Sequence, residues 1–254
     1  MILSEGLKGE SFYLETSWGK LHYEVFGEGD PLLILHGNSG STKGKHHLFP
    51  ELVKDFKVIA MDNRCHGKSE CPNGDLDYFS LAEDVYSLMD ALGHKKYMIW
   101  GHSDGGILGL ILGYQHTDKI DRMIISGANS KLTGLEPRLT EIMSNYEQIS
   151  DPMMRKYVKL MMDQKEIPMD SIKKINVPVM LIVGDRDAVR IEHTLEIFKS
   201  LPQANLCVFP TTHFVDHERP DDLIRWIKEF KQPFRAPSTI DVAEEMAKSI
   251  FSKD

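Results

Sequence analysis

The chain has 254 residues, a length that fits one large α/β domain with a complete hydrophobic core. Its hydrophobic fraction of 41% is ordinary for a soluble protein, and no apolar stretch is long enough to cross a bilayer. The net charge of -8 repels phosphate backbones and anionic lipids, so neither nucleic acid nor a membrane is expected as a partner.

The cysteines and the N-terminus indicate a reducing compartment. Cys65, Cys71 and Cys207 are an odd number without the CxxC spacing of a zinc site, and we expect them to be reduced thiols. The N-terminal segment lacks a basic region followed by an apolar core, so we expect a cytoplasmic protein. No cofactor is indicated, and no metal either, because the histidines do not form an HExxH pattern.

The order of predicted elements indicates an α/β fold. Residues 11–16 and 20–26 alternate polar and apolar side chains, which predicts an antiparallel hairpin at a sheet edge. Six short, mostly apolar runs follow and are typical of strands buried in a parallel sheet: residues 31–35, 56–61, 97–100, 120–125, 177–183 and 204–209. Between them, a capping box of Ser80 and Glu83 predicts a helix that ends at Gly93, and another helix follows Pro220. The alternation predicts a mostly parallel central sheet with helices on both faces, in a single domain over residues 1–254.

Residues 131–169 interrupt this alternation, because they contain no strand pattern. The segment is rich in methionine, whose flexible thioether suits both irregular packing and an apolar substrate: Met143, Met153, Met154, Met161, Met162 and Met169. It is either a pair of helices packed over the domain or a short helical lid over a pocket, and its position between two strands favours the lid.

Candidate catalytic side chains follow three of the predicted strands. Ser103 lies between glycines in GHSDGG, directly after the strand at 97–100. Asp187 and His213 follow the strands at 177–183 and 204–209. A serine nucleophile needs a base and an acid that orients the base, and the carboxyl ends of parallel strands meet at one edge of the sheet. These three residues are therefore expected to converge.

Each partner of the serine has rivals in the sequence. His193 and His217 are alternative bases, but His213 is nearest to the end of its strand. Asp185 is the alternative acid. It leaves the strand two residues before Asp187, which places it better for capping the loop than for reaching over the sheet edge.

Five motifs together resemble the α/β-hydrolase family over nearly the whole chain. They occur in the family's order, with serine before acid before histidine: LHGNSGS at 35–41, DNRCHGKS at 62–69, GHSDGG at 101–106, GDRD at 184–187 and HFVDHERP at 213–220. The resemblance implies an α/β-hydrolase fold and a catalytic triad of Ser103, Asp187 and His213. It also implies an oxyanion hole formed by the backbone N–H groups of Asn38 and Asp104. Two positions depart from the family pattern, since Cys65 and Thr212 stand where glycine is usual.

Asp104 carries a further, narrower resemblance. An aspartate in the first turn of a helix is favoured by the helix dipole and needs no ligand. The sequence SDGG and the later tripeptide at 127–129 are, however, similar to the valacyclovir hydrolase (biphenyl hydrolase-like) group. In that group the aspartate binds the α-ammonium of an amino-acid ester, which makes Asp104 a candidate substrate-binding residue.

The leading hypothesis is a cofactor-independent serine hydrolase of small carboxylic esters, acting through an acyl-enzyme intermediate on a small-molecule acyl substrate. The alternatives are an α-amino-acid ester hydrolase or aminopeptidase-like enzyme, a hydrolase of carbon–carbon bonds or lactones, and a non-catalytic receptor on the same fold. A haloalkane dehalogenase is rejected, because that class needs an aspartate where Ser103 stands.

Overall fold

A computed structural model of the protein describes residues 7, 9–230 and 238–251. Within these residues, eight strands form one sheet in the order β1-β2-β4-β3-β5-β6-β7-β8. The strands are β1 (Gly9–Thr16), β2 (Gly19–Phe26), β3 (Asp30–Leu35), β4 (Phe56–Met61), β5 (Tyr97–His102), β6 (Ile120–Ser126), β7 (Val179–Gly184) and β8 (Ala204–Phe209). β1 pairs with β2 and β2 with β4 in antiparallel fashion, and the remaining pairs are parallel. The predicted sheet and its N-terminal hairpin are confirmed.

Helices cover both faces of this sheet. In chain order, all the α-helices of the described residues are α1 (Phe49–Leu52), α2 (Tyr78–Ala91), α3 (Asp104–Gln115), α4 (Pro137–Met143), α5 (Pro152–Met162), α6 (Met169–Ile172), α7 (Ile191–Ser200), α8 (Val215–Glu218), α9 (Pro220–Glu229) and α10 (Thr239–Phe251). Leu81 of α2, Leu108 of α3 and Ile197 of α7 lie in one buried cluster. Phe49 of α1 and Ile227 of α9 lie in the cluster on the opposite face. Strands buried on both sides, such as the fully buried β5 and β7, explain the continuous apolar runs in the sequence.

The start of α2 differs from the prediction. The helix begins at Tyr78 rather than Ser80, because the Asp77 side chain accepts hydrogen bonds from the backbone N–H groups of Phe79 (3.0 Å) and Ser80 (3.2 Å). Ser80 therefore lies inside the first turn, where its own hydroxyl donates to Asp77. Asp77, four residues before Leu81 at the start of the apolar pattern, was the stronger capping signal.

The expectation of three reduced thiols was wrong. Cys65 and Cys71 form a disulfide, and Cys207 is the free cysteine among the described residues. The loop after β4 turns back on itself, with the Cys65 N–H donating to the Glu70 carbonyl (3.1 Å), and this turn brings the two side chains together. Cys65 has a φ of +64°, in the left-handed region that explains why glycine is usual at this position of the family motif.

Residues 131–172 form short helical segments, chiefly α4, α5 and α6, over the carboxyl ends of the strands. α5 is tied to the disulfide loop, because the Tyr157 hydroxyl donates to the Cys65 carbonyl (2.5 Å). None of the helices in the described part of the chain combines the length and hydrophobicity that a membrane span requires.

Candidate active site

Ser103 lies in a sharp turn between β5 and α3. Its backbone has a φ of 55° and a ψ of -118°, a conformation that costs strain in any residue with a side chain. The turn requires glycine on both sides. A Cβ at Gly101 would lie 2.3 Å from the Gly105 carbonyl oxygen, and one at Gly105 would lie 2.2 Å from the Leu35 carbonyl oxygen. The glycines thus let α3 approach the sheet while the serine hydroxyl faces outward.

The structure brings Ser103, His213 and Asp187 into one hydrogen-bonded chain. The Nε2 atom of His213 lies 2.8 Å from Ser103 Oγ, and its Nδ1 lies 2.6 Å from Asp187 Oδ1. A carboxylate accepts hydrogen bonds, so Nδ1 carries the proton and the Nε2 lone pair faces the serine hydroxyl. This is the arrangement in which an imidazole can take the hydroxyl proton.

Asp187 is held as a carboxylate by its surroundings. Burial by itself raises the pKa of this group, but hydrogen bonds from His213 and from the backbone N–H groups of Val189 (3.0 Å) and Gly184 (3.0 Å) outweigh burial. Its pKa is therefore lowered, so the group stays negative beside the imidazole. Gly127 supports the same contact: with a φ of +60°, a Cβ there would lie 2.8 Å from His213 Cε1. The sequence had indicated Gly127 only through its resemblance to a family tripeptide.

The rival residues do not contact Ser103 and have other partners. Asp185 is half exposed and pairs with Arg186 (3.2 Å). His193 is buried in α7, where its Nε2 accepts a hydrogen bond from the Ser130 N–H (3.0 Å). His217 is half exposed, with its Nε2 3.6 Å from Asp216. Each rival side chain is therefore paired with another residue, and among the three candidate bases only His213 contacts Ser103.

The loop after β3 places Asn38 beside the serine. A Cβ on Gly37 would lie 2.9 Å from Ser103 Cβ, so this loop packs directly on the turn. His36 holds the loop, since its Nδ1 lies 2.7 Å from the Gly37 carbonyl oxygen and its Nε2 accepts from the Asn63 N–H (3.1 Å). Burial, with a smaller contribution from the nearby His66, lowers the pKa of His36 to about 3, so the ring is neutral and acts as a scaffold.

The Asp104 carboxylate is buried at the start of α3 and lines the cavity. Its Oδ1 accepts from the Tyr78 hydroxyl (2.8 Å) and its Oδ2 from Asn38 Nδ2 (3.0 Å). Burial raises its pKa to about 6, although both hydrogen bonds act in the opposite direction. Tyr78 was not singled out from the sequence, because only the fold places the start of α2 against the start of α3.

A cavity of about 550 Å³ opens above Ser103. Ser103, His213, Asn38 and Asp104 lie together in its lining. Side chains of residues 131–169 contribute an apolar wall: Leu135, Leu139, Met143, Met154, Val158 and Met161. Three of the six methionines in the segment therefore face the cavity, and Met169 instead packs against the main core.

A second polar cluster lies at the edge of this cavity. Lys45 is buried and forms an ion pair with Asp216 (2.5 Å), and His47 and His217 lie close by. His47, Asp216 and His217 offer ligand atoms within 4.8 Å of one another. However, His47 directs Nδ1 at the Gly44 carbonyl (3.1 Å) and Nε2 at the Asp216 carbonyl (2.8 Å), which suits hydrogen-bond donors better than a metal ligand. The lysine already neutralises the carboxylate.

Comparison with known proteins agrees with this fold. The sequence model of the alpha/beta hydrolase fold matches residues 30–158. The chain belongs to the α/β-hydrolase family. The human protein named Serine hydrolase BPHL is 33% identical over 196 residues, which are 74% of this chain and 60% of that protein. The soluble epoxide hydrolase of Corynebacterium sp. (strain C12) is 36% identical over 106 residues, 42% of this chain and 37% of that protein.

This α/β hydrolase thus spans between 37% and 60% of the length of those curated relatives. Its similarity to the biphenyl hydrolase-like group, predicted from Asp104 and its surroundings, is confirmed by the match to BPHL. Among solved structures, the 2-hydroxy-6-oxo-6-phenylhexa-2,4-dienoate hydrolase of Rhodococcus sp. strain RHA1 has a TM-score of 0.78 and 20% identity. That match covers 89% of this chain and 100% of the other, and it confirms the fold.

Proposed function

We propose that this α/β hydrolase is a cofactor-independent serine hydrolase of small carboxylic esters. The observation that carries the proposal is the hydrogen-bonded chain from Ser103 through His213 to Asp187 at the base of a partly apolar cavity. Catalysis of this kind needs a positioned nucleophile, a base and an acid that fixes the base, and each group has its partner within hydrogen-bond distance.

The reaction proceeds in two steps. Ser103 Oγ attacks the ester carbonyl while His213 Nε2 takes the hydroxyl proton, and Asp187 stabilises the imidazolium that results. The imidazolium returns the proton to the leaving alcohol, which leaves an acyl group on Ser103. Water, activated by the same imidazole, then releases the acid and restores the serine.

The negative oxygen of each tetrahedral intermediate needs hydrogen-bond donors. The Asp104 N–H begins α3, and the first N–H groups of a helix have no partner within the helix and face its positive end. The Asn38 N–H, on the loop packed against Ser103, is the second donor. Both are backbone groups, so side-chain substitutions at these two positions leave the donors in place.

A second candidate substrate class, α-amino-acid esters, is favoured by the Asp104 carboxylate. Each of its oxygens accepts one hydrogen bond from Tyr78 or Asn38, but a carboxylate has about four acceptor positions in all. It therefore retains the capacity to bind an α-ammonium group. A charge-assisted contact of this kind contributes about 1.5–3 kcal/mol, or about ten- to a hundred-fold in specificity.

The proposal is tested with a fluorophosphonate probe and a substrate panel. Peptide mapping should place the probe on Ser103 in the native protein, and chromogenic esters should be turned over faster than lactones or dienoates that require carbon–carbon cleavage. His213→Ala should abolish turnover, and Asp187→Asn should reduce it less. Asp185→Asn and His217→Ala are the matched controls, and a larger loss in either control than in its counterpart would refute the assignment. An unlabelled Ser103 in folded protein would refute the serine-hydrolase proposal itself.

A further inference from the structure

A second serine–histidine–aspartate chain lies at the opposite edge of the sheet. Ser11 Oγ in β1 is 2.7 Å from His22 Nε2 in β2, and His22 Nδ1 is 2.8 Å from Asp62 Oδ2 after β4. The three groups have the same order of contacts as Ser103, His213 and Asp187. The family motifs include Asp62, but the proposed ester hydrolysis makes no use of this chain.

Two of the three residues in this hydrogen-bonded series, His22 and Asp62, are held in place by burial and hydrogen bonds. His22 and Asp62 are almost completely buried, with exposed fractions of 0% and 1%. Asp62 also accepts from the backbone N–H groups of Thr42 (2.7 Å) and Lys68 (2.8 Å), so the carboxylate acts only as an acceptor. His22 Nδ1 must therefore donate its proton to Asp62, which leaves the Nε2 lone pair directed at the Ser11 hydroxyl.

The third residue, Ser11, is accessible to solvent. Ser11 is exposed, and β1 is the edge strand of the sheet. Ser144, another exposed serine, forms a different contact. Ser144 Oγ donates to the Glu141 carbonyl (2.7 Å), and a carbonyl oxygen cannot take up the hydroxyl proton. Ser11 is thus an exposed hydroxyl within hydrogen-bond distance of a buried imidazole nitrogen.

We propose that Ser11 is a second activated nucleophile, a site that accepts an acyl or phosphonyl group from reactive esters. With an ester, its oxygen forms a bond to the acyl carbon as the ester C–O bond breaks and the alkoxide or phenoxide leaves. With a fluorophosphonate, the oxygen forms a bond to phosphorus as the P–F bond breaks and fluoride leaves. His22 takes the hydroxyl proton and passes it to the leaving group, so that the product is an ester of Ser11. Glu24 Oε1, 3.9 Å from His22 Nε2, adds a second negative charge that favours the transient imidazolium.

The modification is expected to be slow and to stop after one turnover. Ser103 precedes a helix whose first N–H groups face the reacting oxygen, whereas Ser11 lies within a strand and has no helix N-terminus next to it in sequence. Loss of one oxyanion donor costs about 100- to 1,000-fold in rate. We therefore expect Ser11 to react at least about a hundred-fold more slowly than Ser103, and the acyl group to remain on Ser11.

The test uses Ser103→Ala protein, full length, with a fluorophosphonate probe and separately with 4-nitrophenyl acetate. Mass spectrometry of peptides should find the label on Ser11. Adding Ser11→Ala should reduce the total label at least about ten-fold, whereas adding Ser144→Ala, the matched control, should leave it unchanged. Circular dichroism melting of each variant confirms that the proteins compared are folded.

Three results would overturn the proposal: no label on Ser103→Ala protein, equal label with and without Ser11, or equal rates at Ser11 and Ser144. The labelling rates at Ser11 and Ser144 are compared within the same Ser103→Ala protein, so this comparison needs no additional variant that must fold. His22→Asn, where it folds, should lower the Ser11 rate to that of Ser144. The outcome is independent of the proposed esterase activity, because label on Ser11 alone would sustain this inference while refuting the role of Ser103.

Discussion

Replacement of Asp104 by asparagine is expected to stabilise the protein and to remove the contact proposed for the α-ammonium group of an amino ester. The carboxylate is 5% exposed, and burial raises its pKa from the ordinary value of 3.8 to about 6. At about 1.36 kcal/mol per pKa unit, keeping this group ionised in the folded state costs about 3 kcal/mol. Asparagine has nearly the same shape, carries no charge, and can still accept from Asn38 and donate to the Tyr78 oxygen.

The sign of the pH dependence follows from the raised pKa. Below pH 3.8 the carboxyl group is protonated in both folded and unfolded states, and the cost disappears. As the pH rises towards 6 the unfolded chain ionises first, so the folded state loses stability, and above about pH 6 the full cost is present. Between about pH 4.5 and pH 8, the stability gain of Asp104→Asn should therefore grow by about 2 kcal/mol.

The assay is urea unfolding of both proteins at these two pH values. The other ionisable groups are common to both chains, so their contributions largely cancel in the difference between the free energies of unfolding. A gain that is the same at both pH values would refute the raised pKa of Asp104.

The same variant tests substrate binding. For wild type, the ratio of kcat/KM for an α-amino ester to that for its des-amino analogue should fall as the pH drops through about 6. Asp104→Asn should lower the ratio about ten- to a hundred-fold at pH 7, where both the Asp104 carboxylate and the α-ammonium group of the ester, with a pKa of about 7.7–8.0, are mostly charged. Effects of pH that are common to both esters cancel in this ratio. Equal losses on both esters would show that the side chain only supports the loop and helix beneath it.

Three further predictions concern the nucleophile, a close approach and the disulfide. Ser103→Ala should lower ester turnover about ten-thousand-fold or more while preserving cooperative unfolding, and an alanine variant that keeps most of its kcat would place the nucleophile elsewhere. Gly127 has a φ of +60°, and a Cβ at this position would lie 2.8 Å from Cε1 of His213, so Gly127→Ala should displace the His213 ring. The displacement should lower kcat/KM roughly a hundred-fold, and an unchanged value would contradict the close contact. Cys71→Ser should lower the free energy of unfolding by about 2 kcal/mol, because the lost cross-link to Cys65 closes only a short loop. Thiol titration of the native protein should find one free thiol, and a count of three would contradict the disulfide.

The sequence by itself determined the architecture and the three residues that meet at the sheet edge. Short, continuous apolar runs indicate strands that are buried on both faces, and such a run can be recognised from the local sequence without knowledge of the rest of the fold. Because parallel strands present their carboxyl ends on one side, the position of Ser103, Asp187 and His213 just after their strands, together with the family's motif pattern, predicted that they converge.

Only the tertiary structure decided the features that depend on contacts between segments distant in sequence. Spacing alone did not reveal the bond between Cys65 and Cys71, because it requires the turn of the loop after β4. Likewise, the pKa of Asp104 is set by burial between α2 and the loop after β3, where Tyr78 and Asn38 arrive from elements 26 and 66 residues away. Desolvation and hydrogen bonding act through space, so a residue's charge state and role follow from its neighbours in the fold rather than from its neighbours in the chain.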